Sequence, residues 1–459
     1  MTVLKVTGML IVAAAFLAGP CAAQESQEAK DHLSALRLRE AYREGLEASP
    51  AILAEFQPMV AHPKVNAALD LIKVDEPRTL AEQKEIVGIA APPFKEHARA
   101  QNFLQRLRHA GLTDAYIDKE GNVIAPRPGN GGGPKLVFSA HLDTVFPAGT
   151  DLTIREKDGK LYAPGIGHDS RGLAETLAMV RALNANQIQT VGDIWFVGTV
   201  GEEGLGDLRG VKALLRDHKD IAGFVSIDGL RPERITYIAV GSHRYRVEFK
   251  GPGGHSFSAF GRPSAIHALG RAIAKIAELK TPAEPKTTFT VGTILGGTSV
   301  NSIAGNAVLE LDMRSVGMQQ LLDVETKAMQ PIRSAVAEEN ARWNSQGITV
   351  DIQLVGDRPA GSQTLNSPIL QVAALAVRAM GLVPTLEQPG STDSNAAISL
   401  GIPALTVGRG GFNGNMHSID EWFDPKDAFI GPQKHLLLAL ALVGLEGISR
   451  PVLSKILPK

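Results

Sequence analysis

The sequence predicts an α/β protein with a parallel sheet in its main domain and a smaller domain inserted into that main domain. Three observations indicate this. From about residue 65 to 240, short apolar strands alternate with helical segments, as in α/β layer folds. These strands are continuous apolar runs, which indicates burial on both faces and hence a sheet covered by helices. From about residue 241, strands of alternating polarity and amphipathic helices take over.

Length and composition agree with two or three domains and exclude several classes of protein. At 459 residues, the chain is too long for one hydrophobic core. Lys+Arg total 47 against 48 Asp+Glu, so no excess of positive charge indicates a nucleic-acid partner. No later segment approaches about 18 continuous apolar residues, so we expect no membrane span in the mature chain.

The N-terminus is typical of a secretory signal peptide. An apolar stretch from Met9 to Leu17 follows a lysine, and small residues lead to a predicted cleavage after Ala23. We therefore expect a secreted or periplasmic protein. Cys21 is the only cysteine, so the mature chain would contain no disulfide. A lipid anchor on Cys21 is the alternative, which the preceding proline disfavours.

The remaining organisation follows from the order of the predicted elements. Between about residues 241 and 358 this order is β-α-β-β-α-β, the ferredoxin-like arrangement. The α/β pattern resumes afterwards, with a strand at 402–407 and a last helix at 434–447. The predicted boundaries are 1–23 for the signal peptide, 24–58 for a helical extension, 59–240 and 359–459 for the two parts of the catalytic domain, and 241–358 for the insertion.

Polar side chains follow the predicted strands of the main domain where each strand ends. These side chains are His141 and Asp143, Glu202 and Glu203, Asp228, and, after a glycine-rich loop, His417. Ligands bind outside the carboxyl ends of parallel strands, so we expect these clusters to converge. Two imidazoles with several carboxylates are the ligand set of a two-zinc hydrolase, and a spare glutamate beside a ligand can serve as its general base.

A further carboxylate, Asp169, lies where a helix begins, in the segment Gly165-Ile-Gly-His-Asp169-Ser-Arg-Gly172. Asp169 could cap this helix, or it could bridge two cations through its two oxygens. We expect His168 to support the site or to be exposed, and not to bind metal. A third imidazole near the metals would alter their selectivity.

These motifs and Gly253-Gly-His-Ser256 occur in the same order as in the dinuclear zinc metallopeptidases that include peptidase T, aminoacylase and carboxypeptidase G. The chain resembles this family over roughly residues 65 to 450. The resemblance implies a zinc-peptidase-like mixed sheet flanked by helices, with the insertion as a lid and dimerisation domain. It also implies a homodimer and two Zn²⁺ per chain, for which Co²⁺ or Mn²⁺ could substitute.

The resemblance further implies a role for each candidate residue. His141 and Asp228 would bind one zinc, Glu203 and His417 the other, and Asp169 would bridge both. Glu202 would be the general base and acid, with Asp143 as the carboxylate that orients His141. On the insertion, His255 would stabilise the transition state across a dimer, while Asn301 and Arg314 would hold the substrate carboxylate. Without this resemblance, the sequence predicts only a turn around His255 and a charged residue at a strand edge for Arg314.

The sequence thus predicts an exported two-zinc hydrolase of amide bonds in small peptides. The alternative is an N-acyl-amino-acid deacylase or a carboxypeptidase of the same family. Asp228 favours an aminopeptidase or dipeptidase, because the shorter carboxylate tends to accompany these activities among similar proteins. A non-catalytic binding protein is the competing class, and the complete set of ligands disfavours it.

Overall fold

An eight-stranded sheet forms the centre of the structure, a computed structural model that describes residues 46–456. The strands among the described residues are β1 (Tyr116–Ile117), β2 (Val123–Arg127), β3 (Lys135–His141), β4 (Arg155–Lys157), β5 (Lys160–Tyr162), β6 (Asp193–Thr199), β7 (Ile221–Gly229), β8 (Arg234–Thr236), β9 (Ile238–Ala239), β10 (Gly241–Lys250), β11 (Gly254–His255), β12 (Thr287–Gly296), β13 (Ser302–Ile303), β14 (Asn306–Ser315), β15 (Thr349–Arg358), β16 (Gly361–Ser362), β17 (Thr385–Leu386), β18 (Ala404–Gly408), β19 (Phe412–Gly414) and β20 (Trp422–Asp424).

The order within this sheet is β1-β2-β6-β3-β7-β18-β8-β17. Strands β6, β3, β7 and β18 run parallel to one another, whereas β2 and β8 are antiparallel to their inner neighbours. The inner strands are buried on both faces, which explains their continuous apolar runs. The predicted mixed α/β fold is therefore confirmed.

Helices cover the sheet and account for its burial. They are α1 (Pro50–Val60), α2 (Pro63–Val74), α3 (Glu76–Val87), α4 (His97–His109), α5 (Ser170–Ala185), α6 (Arg209–Asp217), α7 (Ala265–Ala277), α8 (Met318–Arg342), α9 (Pro368–Ala379), α10 (Ser394–Ser399) and α11 (Ile430–Val443). Helix α11 is buried over most of its surface because it packs against both α5 and β3. It ends before the predicted 447, since Gly444 turns the chain at φ +80° and a Cβ there would lie 2.8 Å from Pro451.

The compact unit that contains these helices and sheets begins at Ala48. The predicted signal peptide, Cys21 and residues 24–45 of the predicted extension lie outside the described residues. Within residues 46–456, no helix combines the length and the apolar character that a membrane span needs.

A second, four-stranded sheet is built from residues 241–358, and we call this whole segment the four-stranded unit. Its strands and helices follow the order β10-α7-β12-β14-α8-β15, and the antiparallel sheet has the order β12-β14-β10-β15. One face packs on α7 and α8 through a core that includes Phe249, Leu311 and Ile332. The strand and helix order is the β-α-β-β-α-β order predicted from the sequence.

Candidate metal centre and active site

Four predicted site residues meet at the carboxyl ends of the parallel strands. His141 ends β3, Asp228 lies near the end of β7, and Glu202 and Glu203 follow β6 after a short turn. Because these three strands are neighbours in the sheet, the four side chains converge. Each side chain is at most 9% exposed.

The fifth residue, His417, reaches the same place from the loop between β19 and β20. Its backbone has φ +63°, a conformation that non-glycine residues rarely adopt and that is frequent at functional sites. Its Nε2 lies 2.8 Å from Oε1 of Glu203, and its side chain is 49% exposed. His417 therefore forms the open side of an otherwise buried cluster.

The nitrogen and oxygen atoms of this cluster form two triangles, and the imidazole of His168 contributes one nitrogen to each. In the first triangle, Nε2 of His168 lies 3.0 Å from Nε2 of His141 and 2.7 Å from Oδ1 of Asp228, and these two atoms are 3.8 Å apart. In the second, Nδ1 of His168 lies 3.1 Å from Nε2 of His417 and 3.6 Å from Oε1 of Glu203.

Both triangles have the dimensions of a metal-binding site. Two ligands of a tetrahedral zinc, each bonded at about 2.0–2.1 Å, lie about 3.3 Å apart. The distances in the cluster scatter around this value. In addition, the buried Oε1 of Glu203 accepts no well-aligned hydrogen bond from any described residue, as expected of an atom placed to bind a cation. The donor set thus fits divalent metal.

Asp169 lies beside the cluster and does not occupy its centre. Its Oδ1 accepts a hydrogen bond of 2.7 Å from the guanidinium of Arg409, and its Oδ2 accepts one of 3.0 Å from the backbone N–H of His141. Both oxygens are therefore engaged with protein groups. This geometry differs from the expectation that Asp169 bridges two cations and that His168 stays outside the ligand set, because His168 takes the central place.

The loop that carries these two residues is fixed by a distant carboxylate. Glu421, which is fully buried, accepts backbone hydrogen bonds of 2.9–3.0 Å from Gly165, Gly167 and His168. The His168 ring then packs between its neighbours, edge-on to His141 and stacked on His417 with ring centroids 5.0 Å apart. These contacts set the orientation of the imidazole.

Asp143 supports the cluster in a different way from the one expected. Its carboxylate accepts hydrogen bonds from the backbone N–H groups of Glu202 and Glu203, at 3.0 and 2.7 Å. The ring of His141 is oriented instead by the main-chain oxygen of Asp143, which lies 2.9 Å from Nδ1, whereas the carboxylate is 3.8 Å away. Asp143 thereby positions both the histidine and the pair of glutamates.

Glu202 faces the cluster and is held by an arginine from the four-stranded unit. Its Oε1 lies 3.2 Å from Nη1 of Arg358, the last residue of β15, which also donates to the main-chain oxygen of Glu202. An oxygen of Glu202 lies within 4.8 Å of ligand atoms of both His141 and Asp228. Burial raises the pKa of Glu202 well above its usual range, although Arg358 opposes this shift. A raised pKa suits a group that accepts and returns a proton near neutral pH.

The surroundings shift the pKa values of His141 and His168 in opposite directions. Burial lowers the pKa of His141 to about 4. Burial acts in the same direction on His168, but the adjacent carboxylate of Asp228 prevails and raises the pKa to about 9. The carboxylate of Asp228 thus favours the protonated form of His168, whereas burial favours the neutral form of His141.

The predicted substrate residues lie on the four-stranded unit. His255 is exposed on β11, opposite Ser302 of β13, and Asn301 is exposed immediately before that strand. Arg314 on β14 pairs with Asp312 at 2.7 Å. In the part of the chain that the structure describes, no hydrogen bond or ion pair connects His255, Asn301 or Arg314 with the metal-binding cluster.

Three residues that hold the site in place were not predicted from the sequence, namely Arg409, Arg358 and Glu421. Arg409 directly follows β18, so the strand-end rule that indicated Asp228 could have found it. Arg358 and Glu421 carry no comparable signal, because they act on residues 156 and more than 250 positions away along the chain.

Fold and donor set together define a metal-dependent hydrolase built on a mixed α/β sheet. The model of peptidase family M20/M25/M40 matches residues 137–441. The chain therefore belongs to this family of amide-bond hydrolases.

Individual relatives differ in their reactions. An acetylornithine deacetylase from Myxococcus xanthus is 29% identical over 295 residues, which cover 59% of this chain and 75% of that protein. A tripeptidase from Staphylococcus aureus superposes with a TM-score of 0.66 at 24% identity, over 80% of this chain and 98% of the other. A dinuclear metal-binding peptidase of the M20 family from Bacillus subtilis gives a TM-score of 0.60 at 17% identity, over 81% and 99% of the two chains. The two structural neighbours share the fold.

Proposed function

We propose that this protein is a two-metal hydrolase of amide bonds in small peptides, with Glu202 as the general base. The observation that carries the proposal is the pair of ligand triangles at the strand ends, with an additional buried glutamate beside them. A peptidase from Bacillus subtilis with the same fold is described as binding two metals, which supports the same nuclearity here. Zn²⁺ is the proposed metal, with Co²⁺ or Mn²⁺ as substitutes.

In this proposal, His141 and Asp228 hold one metal, and Glu203 and His417 hold the other. When bound, the cations polarise the scissile carbonyl and lower the pKa of the attacking water. Glu202 accepts the proton of this water and returns it to the leaving nitrogen. Arg358 and Asp143 keep the side chain and the backbone of Glu202 in place.

Substrate binding is assigned to the four-stranded unit. Arg314 would grip the terminal carboxylate of a peptide, with Asn301 beside the substrate and His255 stabilising the transition state. Because none of the three makes a hydrogen bond or ion pair with a described residue of the metal-binding cluster, they would act either after closure of this unit or across a homodimer. We favour the dimer, and we also propose that the protein is exported after cleavage behind Ala23.

A second candidate is an N-acyl-amino-acid deacylase, which the acetylornithine deacetylase relative supports. A hydrolysis panel with zinc-loaded protein separates the two activities. It should contain free dipeptides, tripeptides, N-acetyl amino acids and dipeptide amides. Cleavage of the free peptides supports the peptidase, whereas cleavage of N-acetyl amino acids alone supports the deacylase. Bound zinc without turnover of any compound would indicate a binding protein.

The role of Glu202 is tested by Glu202→Gln. This variant should retain both metals and the fold while kcat falls at least about a hundredfold, the range that general acid-base groups contribute. The exposed Glu278→Gln is the matched control and should behave as the wild type. Loss of zinc in Glu202→Gln would show that Glu202 and Glu203 have exchanged roles, and near-normal turnover would refute a general base at this position.

A further inference from the structure

We propose that the imidazole of His168 is shared by two metal ions, each bound through one of its ring nitrogens. This inference rests on the metal centre proposed above and concerns how its two positions are connected. Nε2 of His168 completes a set of three donors with His141 and Asp228. Nδ1 completes a second set with His417 and Glu203. Each of the two nitrogens of the His168 ring therefore belongs to one donor set.

The alternative connector is Asp169, and its surroundings disfavour it. Its two oxygens are occupied by Arg409 and by the backbone N–H of His141. Arg409 is fully buried, and it also lies 3.6 Å from Asp228. If Asp169 bridged two metals, the buried guanidinium of Arg409 would lose its closest partner. An unpaired buried charge destabilises the folded protein.

A shared imidazole places the two metals farther apart than a shared carboxylate. The lone pairs of the two ring nitrogens diverge, so two metal–nitrogen bonds of about 2.0–2.1 Å plus the width of the ring give a separation of roughly 6 Å. Two-metal hydrolytic sites usually hold their ions about 3.5–4 Å apart. At about 6 Å, a single water cannot easily bind both ions, so the attacking water would belong to one metal.

Proton balance follows from the same arrangement. A neutral imidazole offers one lone pair, and the second becomes available only when the remaining N–H proton leaves to solvent. The ring is then a monoanion that binds both cations. We therefore expect the two metals to bind in sequence, with the second depending on the first.

The decisive measurement is the metal–metal distance in zinc-loaded wild-type protein, taken from anomalous diffraction at the zinc edge. Two zinc ions at roughly 6 Å, on either side of His168, are expected. His168→Asp should also bind two zinc ions, but at about 3.5–4 Å, because a carboxylate can bridge at that distance. His168→Ala should retain at most one zinc per chain after dialysis, as measured by elemental analysis.

The possible outcomes distinguish a failure of this inference from a failure of the proposed function. Two zinc ions about 3.5–4 Å apart in the wild type would overturn the shared ring but leave a two-metal hydrolase in place. Retention of both ions by His168→Ala would do the same. A wild-type protein that binds no zinc, cobalt or manganese would overturn the metal centre and this inference together. The exposed His109→Ala is the matched control and should keep two ions at the wild-type distance.

Discussion

The strand ends of the eight-stranded sheet and the predicted substrate residues of the four-stranded unit carry similar side chains in opposite environments. At the strand ends, His141 and Asp228 are almost completely buried, and each ring or carboxylate contacts several others. On the four-stranded unit, His255 is exposed, and Arg314 is 42% exposed and paired with its neighbour Asp312. The candidate metal-binding groups thus contact one another within the fold, whereas no hydrogen bond or ion pair among the described residues connects the candidate substrate groups with them.

Two ion pairs outside the site show the same contrast. Arg171 on α5 is fully buried and binds Glu76 at 2.7 Å and Glu175 at 2.8 Å. Arg246 on β10 pairs with Glu310 at 3.2 Å, but both side chains are more than 40% exposed. The buried pair therefore carries a desolvation cost that the exposed pair does not.

The largest effect is expected from removing a metal-binding imidazole. His141→Ala or His417→Ala should lower bound zinc and abolish activity together, since a metal site needs all of its donors. Elemental analysis and turnover on a dipeptide measure both consequences, with His109→Ala as the control. If either variant kept about two zinc ions per chain, that residue would lose its assignment as a ligand.

The next effect concerns stability. Arg171→Met should lower the free energy of unfolding by about 3–5 kcal/mol, because it leaves buried carboxylates without their partner. Arg246→Met is the matched change in the four-stranded unit and should cost at most about 1 kcal/mol, as is usual for exposed pairs. Urea unfolding followed by circular dichroism measures both. Equal losses in the two variants would show that burial does not distinguish the energies of these two ion pairs.

Mixing two inactive proteins tests how His255 reaches the metals. If His255 acts across a dimer, heterodimers of His255→Ala and Glu202→Gln contain one intact site and should recover part of the wild-type turnover. Differently tagged chains allow the heterodimers to be purified before the assay. Purified heterodimers without activity would instead favour closure of the four-stranded unit onto its own chain.

The smallest effect is expected at Arg314. Arg314→Lys should raise KM for free dipeptides about tenfold or more, because a planar guanidinium can bind both oxygens of a carboxylate and an ammonium cannot. Zinc content should not change, and the exposed Arg246→Lys serves as the control.

Dipeptide amides provide the second half of this test. Amidation should raise KM in the wild type and add little in Arg314→Lys, as expected when both changes remove one contact. Equal cleavage of amidated and free dipeptides by the wild type would exclude Arg314 as the carboxylate anchor.

Much of the fold was predictable because it depends on local patterns. Two-sided apolar runs located β3, β6 and β7, and alternating polarity located the strands of the four-stranded unit. The polar residues after these runs then indicated where a site would form, since parallel strands end at one edge of a sheet. The end of α11 was placed too late, because a turn at Gly444 competes with an apolar pattern that continues towards it.

The sequence alone determined the kinds of side chains at the strand ends and the order in which the chain delivers them. Only the tertiary structure decided which of two adjacent residues, His168 or Asp169, faces the cluster. Neighbouring residues in a turn point in different directions, and the choice between them depends on partners that the chain supplies much later. Glu421 holds the backbone before His168, and Arg409 draws the carboxylate of Asp169 away. Such long-range contacts leave no periodic pattern in the sequence, because their energy arises only when distant segments are packed together.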